Sequence, residues 1–220
     1  MKLWLGLALV AGPLAAQSAR ARLEGRVPGA AIPVIDSLIQ AASTEGLPTE
    51  PLIQKALEGG AKLVTAPRIV AAVEVSLGQL RDARDLLIRA GDEPPVTPGE
   101  VTTVTWALRR GLPRPVVERV LAALPRAPRA AAMHAVADLA AHHFDPDSAA
   151  DLIIAAIGLG LQRERLLDVS AAAAHELQRG RSHAQALALV RGELPNVPAS
   201  PKPTAGAVAR ARRPPAPTPP

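Results

Sequence analysis

The stretch GLPTEPLIQKALEGGAKLVTAPRIVAAV, residues 46–73, contains two short apolar segments, each preceded by a threonine and a proline. Pro51 and Pro67 suit the first turn of a helix, because the N–H that proline lacks has no partner there in any case. After each proline, apolar residues recur at three- and four-residue spacings, which place them on one face of a helix. The stretch therefore predicts a pair of amphipathic helices.

The ends of these two helices carry residue types that cap or stop helices. Thr49 and Thr65 are predicted to cap their N-termini. Gly59 and Gly60 are predicted to end the first helix, and Gly91 to end the second. Two helices with start and stop signals inside about 45 residues indicate a chain built from helices joined by short turns.

The same start signals return further along the chain. Thr97 with Glu100, and Ser182 with Gln185, have the spacing of a capping box. The segment VTTVTWAL, residues 101–108, is the most strand-like part of the sequence, but the capping box before it favours a helix. No long stretch alternates apolar and polar residues, so the sequence predicts an all-α fold.

The spacing of the helices suggests repetition without settling its period. Overlaying helices through Ala56, Ala107 and Ala156 gives spacings of 51 and 49 residues. The closer match of PLIQKAL, residues 51–57, with PVVERVL, residues 115–121, gives 64 residues instead. Two interpretations stay open: a helical-repeat solenoid with a period near 50 or 64 residues, or an irregular bundle of short helices.

One segment resembles a known repeat family. SLGQLRDARDLLIRAGDEP, residues 76–94, is similar to the second half of a tetratricopeptide unit in its Leu-Gly, its alanine and its closing proline. A period near 50 is also close to that of HEAT repeats. These resemblances imply a protein-binding scaffold that has no catalytic residues to transfer. In overall texture the chain also resembles exported helical proteins of GC-rich bacteria.

The N-terminal segment MKLWLGLALVAGPLAAQ, residues 1–17, has the layout of a secretory signal peptide. Lys2 supplies the positive start, an apolar core follows, and Ala15 and Ala16 supply the small residues before a cleavage site. A membrane-spanning helix needs about 20 apolar residues, and Pro13 interrupts this run earlier. We therefore expect a periplasmic or secreted bacterial protein with no transmembrane segment after cleavage.

The rest of the chain divides into three parts by composition. Residues 18–31 are polar and irregular and are predicted to form a flexible leader. The helical pattern covers residues 32–194, which we expect to form one all-helical domain. Residues 195–220 contain nine prolines and little to bury, so a disordered Pro/Ala/Arg-rich tail is predicted.

Charge and aromatic content argue against nucleic acid as a partner. The formal net charge is +5, but Lys2 and four basic residues of the tail account for all of it, which leaves residues 18–194 neutral. After residue 17 the only aromatic residues are Trp106 and Phe144. Surfaces that bind single-stranded nucleic acid combine a basic groove with several stacking rings, and this chain has neither. The absence of cysteine also rules out disulfide bonds.

The histidines are the main candidates for chemistry. His134, Asp138 and His142 follow one another at intervals of four residues and so share one stripe of a helix. Imidazole and carboxylate are ordinary zinc ligands, so these three residues are a candidate metal site. A solvated His–Asp face explains the same residues and is the favoured interpretation, since apolar residues occupy the opposite side of the helix.

Other catalytic patterns are missing from the sequence. There is no cysteine, no Gly-x-Ser-x-Gly turn and no glycine loop following a strand, and no cofactor is expected. The sequence therefore favours a non-catalytic scaffold of the cell envelope that binds an unknown protein or peptide partner. The alternative is a metal-dependent enzyme that uses the region of His134, Asp138 and His142.

Overall fold

The computed structural model describes residues 19–91, 96–124, 126–161 and 164–196. Within these ranges it contains ten α-helices and no strand, which confirms the all-α prediction. The predicted signal peptide lies outside the described residues, and so does the predicted tail from residue 197 onward. Residues 195 and 196 belong to a short 3-10 turn, Leu194–Asn196.

The ten helices are numbered along the chain. They are α1 (19–23), α2 (Ile32–Thr44), α3 (Glu50–Ala61), α4 (Ala66–Arg89), α5 (Pro98–Arg109), α6 (Arg114–Ala123), α7 (Arg126–Ala141), α8 (Pro146–Gly158), α9 (Glu164–Gln178) and α10 (His183–Glu193). From α2 to α10 the lengths range from 10 residues in α6 to 24 in α4. These unequal helices establish no repeat, and the period near 50 or 64 residues stays a prediction.

The described residues divide into two compact units, and the single all-helical domain expected over residues 32–194 stays a prediction. The units are Met1–Met133 and His134–Pro220, and the division falls within α7. In the first unit, α4 is the central element and contacts α2, α3, α5 and the 3-10 turn Gly29–Ala31. In the second unit, α8, α9 and α10 contact one another.

The predicted flexible leader, residues 18–31, is folded from residue 19 onward, so that prediction is wrong. Leu23 is completely buried in α1, and Ala19, Val27 and Ala31 are also buried. The guanidinium of Arg22 donates two hydrogen bonds of 2.7 Å to the carboxylate of Glu50 on α3. The leader was misjudged because its few apolar residues are spaced by arginines and show no long periodic run.

The predicted helix starts are confirmed where a side chain can complete the cap. Both capping boxes are present, with Thr97 accepting from the N–H of Glu100 and Ser182 from that of Gln185. Thr49 and Thr65 precede helices as predicted, but neither forms a side-chain cap hydrogen bond. Proline lies in the first turn of α2, α3, α4, α5, α6 and α8.

Most of the described helices end at a glycine with a positive φ, and the end of α3, which does not, corrects a prediction. Gly91 takes a positive φ after α4, as predicted. Gly59 and Gly60 do not end α3, which continues through Ala61 and closes at Leu63 with φ of +55°. The two glycines serve close packing instead, since a β-carbon at Gly60 would collide with the backbone of residues 26–27.

The core consists of aliphatic side chains and alanine. Its largest members with almost no exposure are Phe144, Leu23, Ile35, Leu52, Ile69, Leu80, Leu86, Leu87, Leu121, Met133, Leu139 and Leu152. Of the helices that the structure describes, none is both long enough and apolar enough to cross a bilayer.

Candidate functional site

The histidine stripe of α7 lies at the surface of the second unit. His134, Asp138 and His142 are all exposed, as expected of a face opposite the apolar one. The Ser170 hydroxyl of α9 donates a hydrogen bond of 2.5 Å to Asp138. Across the described ranges, no group of three His, Cys, Asp or Glu side chains is placed to hold a metal ion. Asp138 of this stripe thus connects α7 to α9.

The end of α7 is fixed by a different histidine. His183 at the start of α10 places its Nε2 atom 3.1 Å from the backbone oxygen of His142. Because a carbonyl oxygen only accepts, this ring nitrogen is the donor. The His183 ring also meets the buried Phe144 ring edge-on, with 5.0 Å between the centroids. These contacts attach α10 to the α7–α8 turn and leave no open position for a ligand at this nitrogen.

A cleft between α3, α4 and α5 in the first unit is lined by side chains of the types that bind ligands. Its main cavity has a volume of about 360 Å³. The residues that line it are Pro51, Leu80, Thr102, Thr105, Trp106, Arg109 and Arg110. Apart from Pro51 and Leu80, every one of them belongs to α5 or is its C-cap. The cleft therefore combines an aromatic ring, two guanidinium groups and hydroxyl groups on one face of one helix.

Two smaller cavities adjoin this one through shared residues. The first, of about 350 Å³, lies against α4 and is lined by Ala72, Val75 and Gln79 among others. The second, of about 200 Å³, reaches Asp82. Arg109 lines all three cavities. We call the three together the Arg109 cleft.

Trp106 presents its ring to this cleft. The side chain is only partly buried, while the other aromatic residue of the described chain, Phe144, is 2% exposed. The guanidinium carbon of Arg110 lies 5.3 Å from the centroid of the Trp106 ring. A cation over an indole face at an exposed site contributes about 0.5–1 kcal/mol, so Arg110 helps to orient the ring at the cleft.

Thr105 is the unusual polar residue of the cleft. Thr102 and Thr103 on the same helix donate hydrogen bonds to backbone carbonyl oxygens four residues earlier, at 2.8 and 3.0 Å. Thr105 is 7% exposed, and its hydroxyl has no hydrogen-bond partner among the residues that the structure describes. An unsatisfied buried polar group costs about 1–3 kcal/mol. Because Thr105 lines two of the cavities, its hydroxyl is available to a bound molecule.

The basic groups of the cleft differ in how they are neutralised. Lys55 forms an ion pair of 2.6 Å with Glu58. Neither Arg109 nor Arg110 forms an ion pair with any carboxylate in the part of the chain that the structure describes. Both arginines lie at the end of α5, where the helix dipole stabilises positive charge. They therefore keep their charge at the mouth of the cleft without an acidic partner.

A second recess in the first unit is larger than the main cavity of the Arg109 cleft and has mainly apolar walls. Its volume is about 750 Å³, and buried Leu87, Val104, Leu121 and Met133 contribute to its walls. Arg129 also lines it, but donates hydrogen bonds to the backbone oxygens of Leu121 and Leu124. This recess offers a ligand mainly apolar surface.

Comparison of the chain with protein-family models, curated proteins and solved structures gave no match.

Sequence reasoning missed the Arg109 cleft. Trp106 was counted only as one of two aromatic residues, which are too few to form a stacking surface. Arg109 and Thr105 were assigned no role. One signal was present: the single tryptophan after residue 17 stands three residues before a pair of arginines at a helix end. What no pattern reveals is that Thr105 lacks a partner, because that depends on how α4 packs against α5.

Proposed function

We propose that this chain is an exported, non-catalytic scaffold of the bacterial cell envelope that binds a segment of another protein in the Arg109 cleft. The observation that carries the proposal is the partly exposed Trp106 beside the unpaired Arg109. Tryptophan and arginine are the residue types most enriched at the energetic centres of protein interfaces. A neutral body and a fold of packed helices are consistent with a scaffold of this kind.

The side chains of the cleft suit binding better than catalysis. A guanidinium stays protonated in proteins and cannot act as a general base. The Thr105 hydroxyl is not hydrogen-bonded to any described side chain that could activate it as a nucleophile. The polar groups are therefore suited to orienting a ligand.

A selection experiment tests the proposal. The full chain would be used to select binders from a phage-displayed library of random peptides of about twelve residues. The most enriched peptide would then be synthesised, labelled, and titrated by fluorescence anisotropy. We expect Trp106→Ala to weaken binding at least about tenfold, as for an interface residue at an energetic centre.

A matched control separates the cleft from the rest of the surface. Val75→Ala changes an exposed apolar side chain of the adjoining cavity by only two methyl groups, and Val34→Ala does the same on α2. We expect only the first to reduce affinity. If no peptide is enriched, or if Trp106→Ala binds as well as the unchanged chain, the proposed function is wrong.

Export is tested separately. We expect protein recovered from the envelope or medium of a bacterial host to begin at Gln17 or Ser18, because small residues precede that position. N-terminal sequencing or intact mass measurement would show this. Recovery of the mature protein with Met1 retained would contradict export through a cleaved signal.

A further inference from the structure

We infer that the segment bound in the Arg109 cleft is acidic, with a carboxylate side chain next to an apolar one. This inference rests on the proposed function and names the class of its partner. It is carried by three features of the cleft: the unpaired Arg109, the Trp106 face beside it, and the buried Thr105 hydroxyl that lacks a partner.

Arg109 occupies the position from which a carboxylate would be recognised. It lines all three cavities, is exposed, and has no acidic partner among the described residues. A guanidinium binds a carboxylate through two parallel N–H···O hydrogen bonds, which are about twice as strong as neutral ones. A ligand carboxylate would therefore form this pair without having to displace an existing one.

Trp106 and Arg110 define what lies next to the carboxylate. Arg110 stands over the indole ring, so its cation is directed to the ring face. Pro51 and Leu80 line the same cavity as the Trp106 ring and add apolar surface to it. An apolar side chain of the ligand fits between these groups, because burying it there removes both surfaces from water.

Thr105 adds a hydrogen bond deeper in the cleft. Its hydroxyl can donate to a carboxylate or main-chain oxygen of the ligand and accept from a main-chain N–H. Since the hydroxyl is unsatisfied in the free protein, a ligand that bonds it recovers the cost of its burial. The hydroxyl is thus destabilising for the fold and favourable for the complex.

The charges that oppose this assignment are fewer than those that favour it. Asp82 lines the smallest cavity and would repel a carboxylate placed there. Arg109 and Arg110 line the main cavity and attract one, whereas Lys55 in the remaining cavity is already paired with Glu58. The carboxylate therefore belongs on the side of the main cavity, near Trp106, and away from Asp82.

Two libraries test the inference directly. One contains all amino acids at each random position, and the other is identical except that Asp and Glu are left out. We expect cleft-dependent enrichment, abolished by Trp106→Ala, only from the first. For the most enriched synthetic peptide, replacing each acidic residue by its amide should weaken binding about tenfold or more.

The matched protein variants are Arg109→Gln and Arg89→Gln. Arg89 is likewise exposed, in the last turn of a helix, and without an ion pair in the described chain, but it does not line the cleft. We expect about a tenfold loss of affinity for Arg109→Gln and none for Arg89→Gln. Thr105→Val should weaken binding while raising the unfolding temperature, which a merely structural hydroxyl would not do.

The outcomes distinguish the two proposals. If the acid-free library gives equally strong binders that depend on Trp106, the partner is not acidic, and the inference is wrong while the proposed function stands. An unchanged affinity for Arg109→Gln has the same meaning. If neither library yields a binder that depends on Trp106, the proposed function fails, and the inference fails with it.

Discussion

Gly60 is a residue whose replacement should harm the fold for a reason that only packing reveals. A β-carbon at this position would lie 3.3 Å from the Cα of Val27 and closer still to the backbone of Arg26. Backbone atoms cannot rotate away as a side-chain end can, so Gly60→Ala should push the turn at residues 26–27 away from α3. We expect a loss of about 1–3 kcal/mol in the free energy of unfolding, measured in urea.

Gly78 provides the control for this prediction. It lies in the exposed face of α4, and a β-carbon there would meet nothing within 4 Å. Gly78→Ala should therefore stabilise the protein by about 0.5–1 kcal/mol, through the lower helix propensity of glycine alone. If Gly60→Ala stabilised the protein as Gly78→Ala is expected to do, the close approach between residues 26–27 and α3 would be wrong.

Leu63 should respond in the opposite way to Gly60. Its φ is +55°, a region that costs non-glycine residues energy, and its side chain is 91% exposed, so it contributes little packing. Leu63→Gly should stabilise the protein by about 1 kcal/mol, measured as a rise in the urea midpoint. Leu63→Ala keeps the strained backbone and serves as the control, with almost no change expected.

For single residues, the sequence shows where a glycine lies but not which structural role requires it there. The glycines after α4 and α5 were predictable as helix ends, because Gly91 and Gly111 follow the last apolar residue of each stripe. Gly59 and Gly60 have the same local appearance, yet they lie inside α3 and allow other elements to approach. Distinguishing the two roles needs the positions of Ile69 on α4 and of residues 26–27, and the latter are about 35 residues away in sequence.

At the scale of elements, α1 is the part of the fold that can be tested most cleanly. Leu23 is 0% exposed, so Leu23→Ala removes three buried carbon atoms and should cost about 2–5 kcal/mol. Arg20→Ala on the same helix breaks only an exposed ion pair with Glu24 and should cost at most about 1 kcal/mol.

Urea unfolding followed by circular dichroism would compare the two variants. Hydrogen exchange across residues 19–31 would show whether α1 unfolds together with the rest of its unit or before it. A flexible leader, as the sequence suggested, would leave the stability of Leu23→Ala unchanged. That result would contradict the packing of α1.

The sequence predicted which segments form helices better than it predicted how those helices pack against one another. The prolines, capping boxes and apolar stripes depend on neighbours in sequence, and they correctly gave an all-α chain with α5 as a helix despite its β-branched residues. The folding of residues 19–31 and the division within α7 depend on contacts between distant segments. For the same reason the Arg109 cleft, which needs α3, α4 and α5 together, could not be read from any one of them.

At the scale of the whole molecule, acidic pH should weaken the fold through its ion pairs. The hydrogen bonds of Arg22, and after them that of Gln54, lower the pKa of Glu50 to about 2. Lys55 and Lys62 lower the pKa of Glu58 to about 2 as well. A hydrogen bond from Arg81 is the main cause of a lowered pKa of Glu45, which joins the end of α2 to α4.

The direction of the effect follows from these lowered values. A carboxyl group with a lower pKa in the folded state holds its proton more weakly there than in the unfolded chain. Its contribution to stability is therefore complete above pH about 4.5, the value of an unperturbed glutamate, and is lost as the pH falls towards about 2. We expect the urea midpoint of the intact chain to stay nearly constant between neutral pH and about pH 5 and then to fall.

Arg22→Gln isolates one of these pairs. The Glu50 side chain is 56% exposed, so solvent screening keeps the contribution of this pair to a small amount. The variant should lose that amount at neutral pH and almost nothing near pH 2, where Glu50 is becoming protonated in both chains. The two curves of stability against pH should therefore converge on the acid side. Parallel curves down to pH 2 would mean that Arg22 stabilises the protein through packing of its side chain on α3, and that its charge does not contribute.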